Sequence, residues 1–277
     1  MSTTGKRAWL LGLLLLAAFL VPALFAPWLA PHDPAALDLA GSLLPPSPGF
    51  PLGQDEQGAD ILSRLLYGAR ISLMVGGTTV FFSASIGIVV GLLAGYLGGW
   101  VEQALMRMVD VLLAFPGLLL AIALVAVLGP GLANVVIALS ALGWTGFARL
   151  VRGQVLTVKT QDYVLAAQAM GAGPWRMMLR HILPNIMAPV LVQASFAIAG
   201  AVLSEASLSF LGLGAPPGTP SWGAMLAEGK HVLVEAPHVS IFPGLAIMGV
   251  VLGFNLLGDV LNDYLDPKRR VSFSSPR

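Results

Sequence analysis

Six long apolar segments alternate with more polar ones along the chain, and each apolar segment is about as long as the ~20 residues that a helix needs to cross a membrane. They cover roughly residues 8–30, 71–97, 109–128, 132–150, 186–208 and 239–261. Prolines and glycines punctuate residues 31–70, which predicts a loop, and the apolar run Ile61–Tyr67 within it predicts a short interfacial helix. The pattern therefore predicts an all-α membrane protein with six transmembrane helices.

The first apolar segment follows Lys6 and Arg7, a charged start that secretory signal peptides share. A signal peptide has an apolar core of only about 7–15 residues, whereas this run continues to about Ala30. Small residues before Ala30 resemble a cleavage site and keep that alternative open. We interpret the run as an uncleaved helix, which with its outer loop makes up residues 1–70; a five-helix core (71–263) and a C-terminal tail (264–277) follow.

Composition agrees with a membrane protein and excludes several functions. Hydrophobic residues make up 56% of the 277 and charged residues 10%, against about 25% in soluble domains. A net charge of +1 suggests no nucleic-acid partner, and the absence of cysteine excludes disulfides and cysteine metal sites. There is no Gly-x-x-x-x-Gly-Lys-Ser/Thr loop, no Gly-x-Ser-x-Gly elbow and no metal-ligand spacing. We expect no catalytic residue, no metal site and no cofactor in this chain.

Lysine and arginine are distributed unequally between the two sides that six spans define. Twelve fall in segments of one side and three in segments of the other. The twelve are Lys6, Arg7, Arg107, Arg149, Arg152, Lys159, Arg176, Arg180, Lys268, Arg269, Arg270 and Arg277, and the three are Arg64, Arg70 and Lys230. Because basic residues favour the cytoplasmic side, both termini and the loop at 151–185 are predicted to be cytoplasmic.

One polar stretch within that loop, residues 161–184, predicts two short helices. Asp162 is suited to cap the first, Gly171 and Gly173 to end it, and Pro174 to begin the second. Helical spacing places four apolar residues of the second helix on one face and two arginines on another; these are Trp175, Met178, Leu179 and Ile182, and Arg176 and Arg180. An amphipathic helix pair that lies on a membrane or packs in a core is the simpler alternative.

Two further sets of residues have candidate roles inside the membrane. Gly87, Gly91, Gly95 and Gly99 recur every fourth residue, which predicts one helix face that a second helix approaches closely. Gly249 and Gly253 repeat the spacing, but there we favour the general abundance of glycine in membrane helices. The candidates for a transport path are Gln193, Glu205 and Asn255. An intramembrane carboxylate is costly and needs a partner or water. Because Glu205 falls near the outer end of its span, an interfacial position is the alternative.

The stretch at 161–184 resembles the EAA loop of ABC importer permeases, which has the pattern E-A-A, three residues, Gly, nine residues, I-x-L-P. Ala166, Ala167, Gly171, Leu183 and Pro184 match this pattern. Leu165 replaces the acidic residue and His181 replaces the isoleucine. In that family the loop is cytoplasmic and docks into a groove of the ATPase subunit.

A wider resemblance covers about residues 31–270 and points to the dipeptide, oligopeptide and nickel importer permeases, most closely the second permease of such a system. The similar segments are Pro51–Asp60, Met106–Pro116, Ala148–Gly153, Arg180–Asn185, Leu208–Gly214, Pro220–Gly223 and Asn255–Leu261. The form R-H-I-L-P-N is this subfamily's own, so only Leu165 remains unusual.

The resemblance implies a type I ABC importer permease fold and an import function. It implies a homologous permease partner, two ATPase subunits that bind ATP and magnesium, an extracytoplasmic solute-binding protein and a bacterial inner membrane. Small residues at Ala166, Ala167 and Gly171 would lie against the ATPase, and Pro184 would fix the turn into the fifth span. Di- or oligopeptides are the expected substrates, with nickel and glutathione as alternatives. A channel or secondary transporter would need midplane ionisable groups or inverted repeats, which the sequence lacks, and a scaffold without transport activity would not need the loop.

Overall fold

The computed structural model describes residues 3–216 and 218–265. Within them the regular structure is helical, apart from one isolated antiparallel bridge between Gln54 and Asp60. The helices are α1 (Thr3–Leu24), α2 (Ala26–Leu29), α3 (Ile61–Leu97), α4 (Gly99–Leu113), α5 (Gly117–Leu128), α6 (Leu132–Val158), α7 (Asp162–Ala169), α8 (Pro174–Arg176), α9 (Leu183–Phe210), α10 (Trp222–Gly229) and α11 (His238–Leu265), with a 3₁₀ turn at Leu39–Gly41 and a π-helix at Met177–Ile182. Most of the predicted tail, with Lys268, Arg269, Arg270 and Arg277, lies outside the described residues.

Each of the six predicted segments corresponds to a helix or a helix pair. Among the described residues, four helices are long and apolar enough to cross a membrane: α3, α6, the continuous run Pro174–Phe210 and α11. The pair α4–α5 makes a fifth span if it is counted as one. The first helix, α1, has 22 residues and an apolar part at Gly12–Leu24, and at 1.5 Å per residue its length is about 33 Å.

The predicted interfacial helix at Ile61–Tyr67 is wrong, because these residues are the first turns of α3. This helix runs for 37 residues, and the side chain of Asp60 caps it by accepting from the backbone N–H of Ser63 at 2.9 Å. Gly68 does not interrupt it. A Cβ at Gly68 would come within 2.9 Å of the Trp222 ring, so this glycine makes room for a neighbouring side chain.

The predicted span at 109–128 is bent and not straight, because α4 and α5, which together are apolar enough to cross a membrane, meet at an angle of 87°. Pro116 stands at the break in an extended conformation and precedes the first residue of α5, and a residue before proline is itself disfavoured in the helical region. Two ion pairs, Glu102 with Arg152 and Asp110 with Arg149, connect α4 to α6.

Close helix contacts form at glycines in two places. The face of α3 that carries Gly87, Gly91 and Gly95 lies against α6; a Cβ at Gly91 or Gly95 would come within 2.6 or 2.7 Å of a valine Cβ. Gly99 does not belong to this contact, because α3 ends at Leu97 and a Cβ at Gly99 would meet no atom within 4 Å.

The second glycine contact joins α11 to α1 and corrects our interpretation of Gly249 and Gly253 as merely abundant residues. A Cβ at Gly249 would come within 2.5 Å of the Phe19 ring, and one at Gly253 within 3.0 Å of Leu16. The first helix is thus packed on the last through two glycines four residues apart.

A buried arginine joins the loop before α3 to α3 itself and to α10. Arg64 forms ion pairs with Asp55 and, at 2.8 Å, with Glu228. Arg64 and Asp55 are both almost fully buried, while Glu228 is partly exposed. Burying a charge is costly unless it is paired, so this network fixes the position of the proline-rich loop on the helices.

Candidate functional site

The segment at 161–184 begins with a short helix, α7. Its N-cap is Gln161 and not the predicted Asp162, and no side chain caps it. Asp162 instead stands in the first turn, where a carboxylate interacts favourably with the helix dipole. The helix ends at Ala169, Met170 is its C-cap, and Gly171 follows with φ +86°, a conformation that glycine adopts without strain.

The second part of the segment continues into the membrane helix without a turn. Pro174 begins α8, as predicted, but the predicted turn at Pro184 is wrong, because α8, the π-helix and α9 form one run. The backbone N–H of Leu183 donates to the carbonyl of Met178, five residues earlier. Pro184 has no N–H, so Arg180 cannot receive the usual i→i−4 hydrogen bond, and a wider π turn accommodates this.

The π-helix also divides the apolar face that regular α-helical spacing predicts. Met178 and Ile182 are buried, but Trp175 is 68% exposed and Leu179 57%. Met177, which the α-helical pattern leaves off the face, is fully buried. Because a π turn contains more residues than an α turn, the register of the buried side chains shifts by about one position.

Part of the segment packs against its own chain. Val164, Ala167 and Met177 form a buried cluster, with Tyr96 of α3 and Val158 of α6 packed against it. Ala167 is therefore covered by this chain, whereas its neighbour Ala166 is exposed. The two alanines of the motif thus have different environments, and only one of them is available to a partner.

The outer side of the segment exposes apolar and basic side chains together. Met170 is 82% exposed and Leu165 49%. We call the exposed residues the loop surface: Leu165, Ala166, Met170, Gly171, Trp175, Arg176, Leu179, Arg180 and Pro184. His181 and Leu183 are partly buried at its edge. Large exposed apolar side chains grouped in one segment are typical of a protein or membrane contact.

The three candidate residues for a transport path are not brought together. Gln193 and Glu205 are twelve residues apart on α9, which separates them by about 18 Å at 1.5 Å per residue. Glu205 is fully buried and accepts hydrogen bonds from Ser72 at 2.9 Å and Ser209 at 2.7 Å. Asn255 stands on α11 and is partly buried. Glu205 thus joins α9 to α3 and lines neither of the cavities described for this chain.

A cavity that sequence analysis misses lies between α3, α5, α6 and α9 and has a volume of about 290 Å³. Thr79 and Ser83, two hydroxyl residues one turn apart on α3, line it. Their i, i+4 spacing within an otherwise apolar span is the sequence signal that indicates a polar face there. In residues 3–216 and 218–265, no three His, Cys, Asp or Glu side chains are placed to hold a metal ion.

Comparison with family models identifies the type of protein. Residues 87–271, more than half of the chain, match the model of the binding-protein-dependent transport system inner membrane component. The chain belongs to this family. Residues 6–46 match a second model, the N-terminal TM domain of oligopeptide transport permease C. Both matches agree with the expected family, and proteins of this family are transport components rather than enzymes.

Individual relatives of the permease cover most of its length. A glutathione transport system permease protein, GsiD, of Pectobacterium atrosepticum is 52% identical over 223 residues, which are 80% of this chain and 74% of that protein. A di/tripeptide transport system permease protein, DppC, of Pseudomonas aeruginosa is 47% identical over 263 residues, 93% and 87% of the two chains. A dipeptide transport system permease protein, DppC, of Alkalihalophilus pseudofirmus is 43% identical over 261 residues, 94% and 86%.

Solved structures establish the fold. The permease resembles a chain of the MetNI methionine ABC transporter in an inward-facing conformation, with a TM-score of 0.61 and 20% identity. The match covers 74% of this permease and 98% of that chain. The protein is therefore a multi-pass membrane permease of the ABC importer class with the predicted type I fold.

Proposed function

We propose that this permease forms half of the translocation path of an ATP-driven importer for di- or oligopeptides. The other half is a homologous permease, and the complex includes two ATPase subunits, which bind the ATP and magnesium, and an extracytoplasmic solute-binding protein. The assembly lies in a bacterial inner membrane with both termini of this chain in the cytoplasm. The observation that carries the coupling role is the loop surface, which begins a helix that continues to the other end of the span.

The chemistry of the loop surface suits a protein partner. Trp175 and Met170 supply large apolar contacts, and Arg176 and Arg180 supply charges beside them. Aromatic residues, methionine and arginine are the side chains enriched at protein interfaces. The ATPase contact therefore includes apolar anchors and basic residues, while Leu165 takes the place of the carboxylate that the motif has elsewhere.

Movement of the ATPases reaches the membrane through packing and not through chemistry in this chain. The cluster of Val164, Ala167 and Met177 fixes the loop to Tyr96 and Val158 near the ends of α3 and α6. A displacement of the loop surface is therefore shared by three spans. The ATPase state selects between inward-open and outward-open arrangements by the difference in contacts that it makes with each.

Glutathione is the second candidate substrate. The relative with 52% identity is a glutathione transport system permease protein, whereas two relatives that cover more of the chain are di/tripeptide and dipeptide transport system permease proteins. Glutathione resembles a tripeptide in size and in its amide groups, so both substrates suit one path.

Uptake by the complete importer in proteoliposomes tests this function. We expect saturable uptake of a labelled dipeptide that requires ATP and the binding protein. Glutathione, an oligopeptide and a nickel chelate are assayed in parallel, and the preferred solute identifies the substrate class. Uptake that persists without ATP and follows an ion gradient would contradict the importer assignment and indicate a secondary transporter.

A further inference from the structure

The cavity between α3, α5, α6 and α9 has a buried floor and an exposed mouth. Thr79, Ser83 and Phe147 are buried at its floor. Exposed residues at its mouth are Gly117, Leu118, Gly143 and Gly200. The floor lies midway along α3, since Thr79 is 18 residues from both Ile61 and Leu97. The cavity thus lies beside the middle of α3.

The two floor hydroxyls have no hydrogen-bond partner in the described protein. Thr79 Oγ1 and Ser83 Oγ are buried and unpaired. Other serines within the membrane helices donate to the carbonyl four residues earlier, as Ser195 does to Leu191 and Ser204 does to Gly200. Leaving a buried hydroxyl without a partner is costly. Each of the two oxygens has almost no accessible surface where it stands, so a group that enters the cavity reaches it when the side chain rotates toward the space that it lines.

Two of the mouth glycines keep volume open, because a Cβ at Gly117 or Gly200 would meet no atom within 4 Å. This contrasts with Gly91, where the space is occupied by α6. A Cβ at the third mouth glycine, Gly143, would come within 2.5 Å of Ser83 Oγ, so this glycine makes room for the serine. Among the described residues, no Asp, Glu, Lys, Arg or His lines the cavity, so its lining combines apolar surface with a few hydroxyls.

We propose that this cavity is a water-filled section of the route that the transported solute takes through this permease. Water, and in turn neutral polar groups of the passing solute, hydrogen-bond to Thr79 and Ser83. The claim that the solute passes through the cavity rests on the proposed function, and it assigns the amide groups of a peptide as the ligands. The claim that water fills the cavity does not depend on the substrate. Because the lining carries no charge, it offers no strong partner to the charged termini of a peptide. The cavity therefore favours passage of the peptide over tight binding.

Cysteine accessibility tests the hydration, since the chain itself contains no cysteine. Thr79→Cys and Ser83→Cys are compared with Phe81→Cys, on the exposed apolar face of α3, and Val75→Cys, buried outside the cavity. The complete importer is treated with a small hydrophilic methanethiosulfonate reagent, without nucleotide and after vanadate trapping. We expect Ser83→Cys and Thr79→Cys to be labelled about tenfold faster than either control in at least one state, because only a hydrated thiol forms the reactive thiolate.

The proposal is overturned if, in both states, Thr79→Cys and Ser83→Cys are labelled no faster than the controls. That result would indicate that lipid or a partner side chain fills the cavity.

A separate measurement tests whether the solute passes through the cavity. A dipeptide with its binding protein should slow the labelling of Ser83→Cys during ATP turnover. Labelling without such protection would overturn the assignment of peptide amides and leave the hydration in place. Neither result depends on net uptake, so both are distinguishable from failure of the proposed function.

Filling the cavity provides a second test that leaves helix contacts intact. Gly200→Leu places a side chain at the mouth, where a Cβ meets no neighbour within 4 Å. Gly77→Leu is the matched control, since Gly77 also has open space around it but does not line the cavity. We expect Gly200→Leu to lose most uptake while ATPase subunits still co-purify, and Gly77→Leu to retain uptake. Equal uptake by the two variants would contradict a route through the cavity.

Discussion

Gly91 of α3 and Val151 of α6 lie so close together that a Cβ added to the glycine would stand 2.6 Å from the Cβ of the valine. One turn further along, Gly95 has the same relation to Val155 at 2.7 Å. Glycines four residues apart thus let two membrane helices pack with their backbones close, as small residues do in many membrane proteins. The helix α3 is packed on α6 in this way.

Substitution of Gly91 by leucine should lower the thermal stability of the purified protein. The added atoms overlap Val151, and overpacking of this kind costs about 1–3 kcal/mol. Gly146→Leu is the matched control, because a Cβ at Gly146 meets no atom within 4 Å. Unfolding temperatures in detergent measure the difference, and equal temperatures for the two variants would contradict the close contact.

Removal of a carboxylate from the buried arginine network should destabilise the protein more than removal of one from an exposed ion pair. Asp55→Ala leaves Arg64 buried with Glu228 alone and should cost about 3 kcal/mol. Asp110→Ala breaks the exposed pair with Arg149 and should cost at most about 1 kcal/mol. The same unfolding assay compares them. A smaller effect for Asp55→Ala would show that the loop before α3 is held by other contacts.

The two alanines of the loop motif should respond differently to tryptophan. Ala166→Trp adds a side chain to the exposed surface and should leave the protein folded but reduce co-purification of the ATPase. Ala167→Trp disrupts the cluster with Val164 and Met177 and should lower the unfolding temperature itself. Leu37→Trp, in the exposed outer loop, is the control for co-purification. Full ATPase binding by Ala166→Trp would show that the contact lies elsewhere.

Replacement of Gly171 by tryptophan should preserve membrane insertion and abolish uptake. The residue is exposed and has φ +86°, so the new side chain both strains the backbone and projects from the loop surface. Leu165→Glu restores the carboxylate of the motif on the same surface and should be tolerated. Uptake and ATPase co-purification measure both changes, and loss of ATPase binding by Leu165→Glu would mean that this loop occupies the groove differently.

Glu205 should act in stability and not as a group on the transport path. Glu205→Gln keeps an oxygen that accepts from Ser72 or Ser209 and should retain uptake. Glu205→Leu leaves both hydroxyls without this acceptor and should cost about 1–3 kcal/mol. Unfolding temperature and uptake are measured for both variants. A Glu205→Gln protein that unfolds normally but does not transport would restore the path assignment.

The apolar segments predicted the helices well, because a helix that crosses a bilayer needs a long apolar run and such runs are visible in the sequence. Interruptions were harder to predict. The 87° bend before Pro116 and the π turn before Pro184 both follow from proline, yet one proline separates two helices and the other leaves a helix continuous. The outcome depends on the packing around each proline, which a single sequence does not reveal.

The candidate site shows the same division between local and tertiary information. The motif identifies Ala166 and Ala167 together, but their opposite exposure depends on contacts with Tyr96 and Val158, which are distant in sequence. Glu205 is conspicuous in the sequence because it is charged, whereas the unpaired hydroxyls of Thr79 and Ser83 become apparent only when hydrogen bonds are traced. Residue type alone therefore did not indicate these two hydroxyls.

The run from Pro174 to Phe210 has a mechanical consequence. A helix of 37 residues is about 55 Å long at 1.5 Å per residue, and its middle is held against α3 and α11. If the helix moves as a rigid rod about these contacts, its two ends move in opposite directions. A displacement of the Trp175 end at the loop surface would then appear at the Phe210 end with the opposite direction, on the far side of the span.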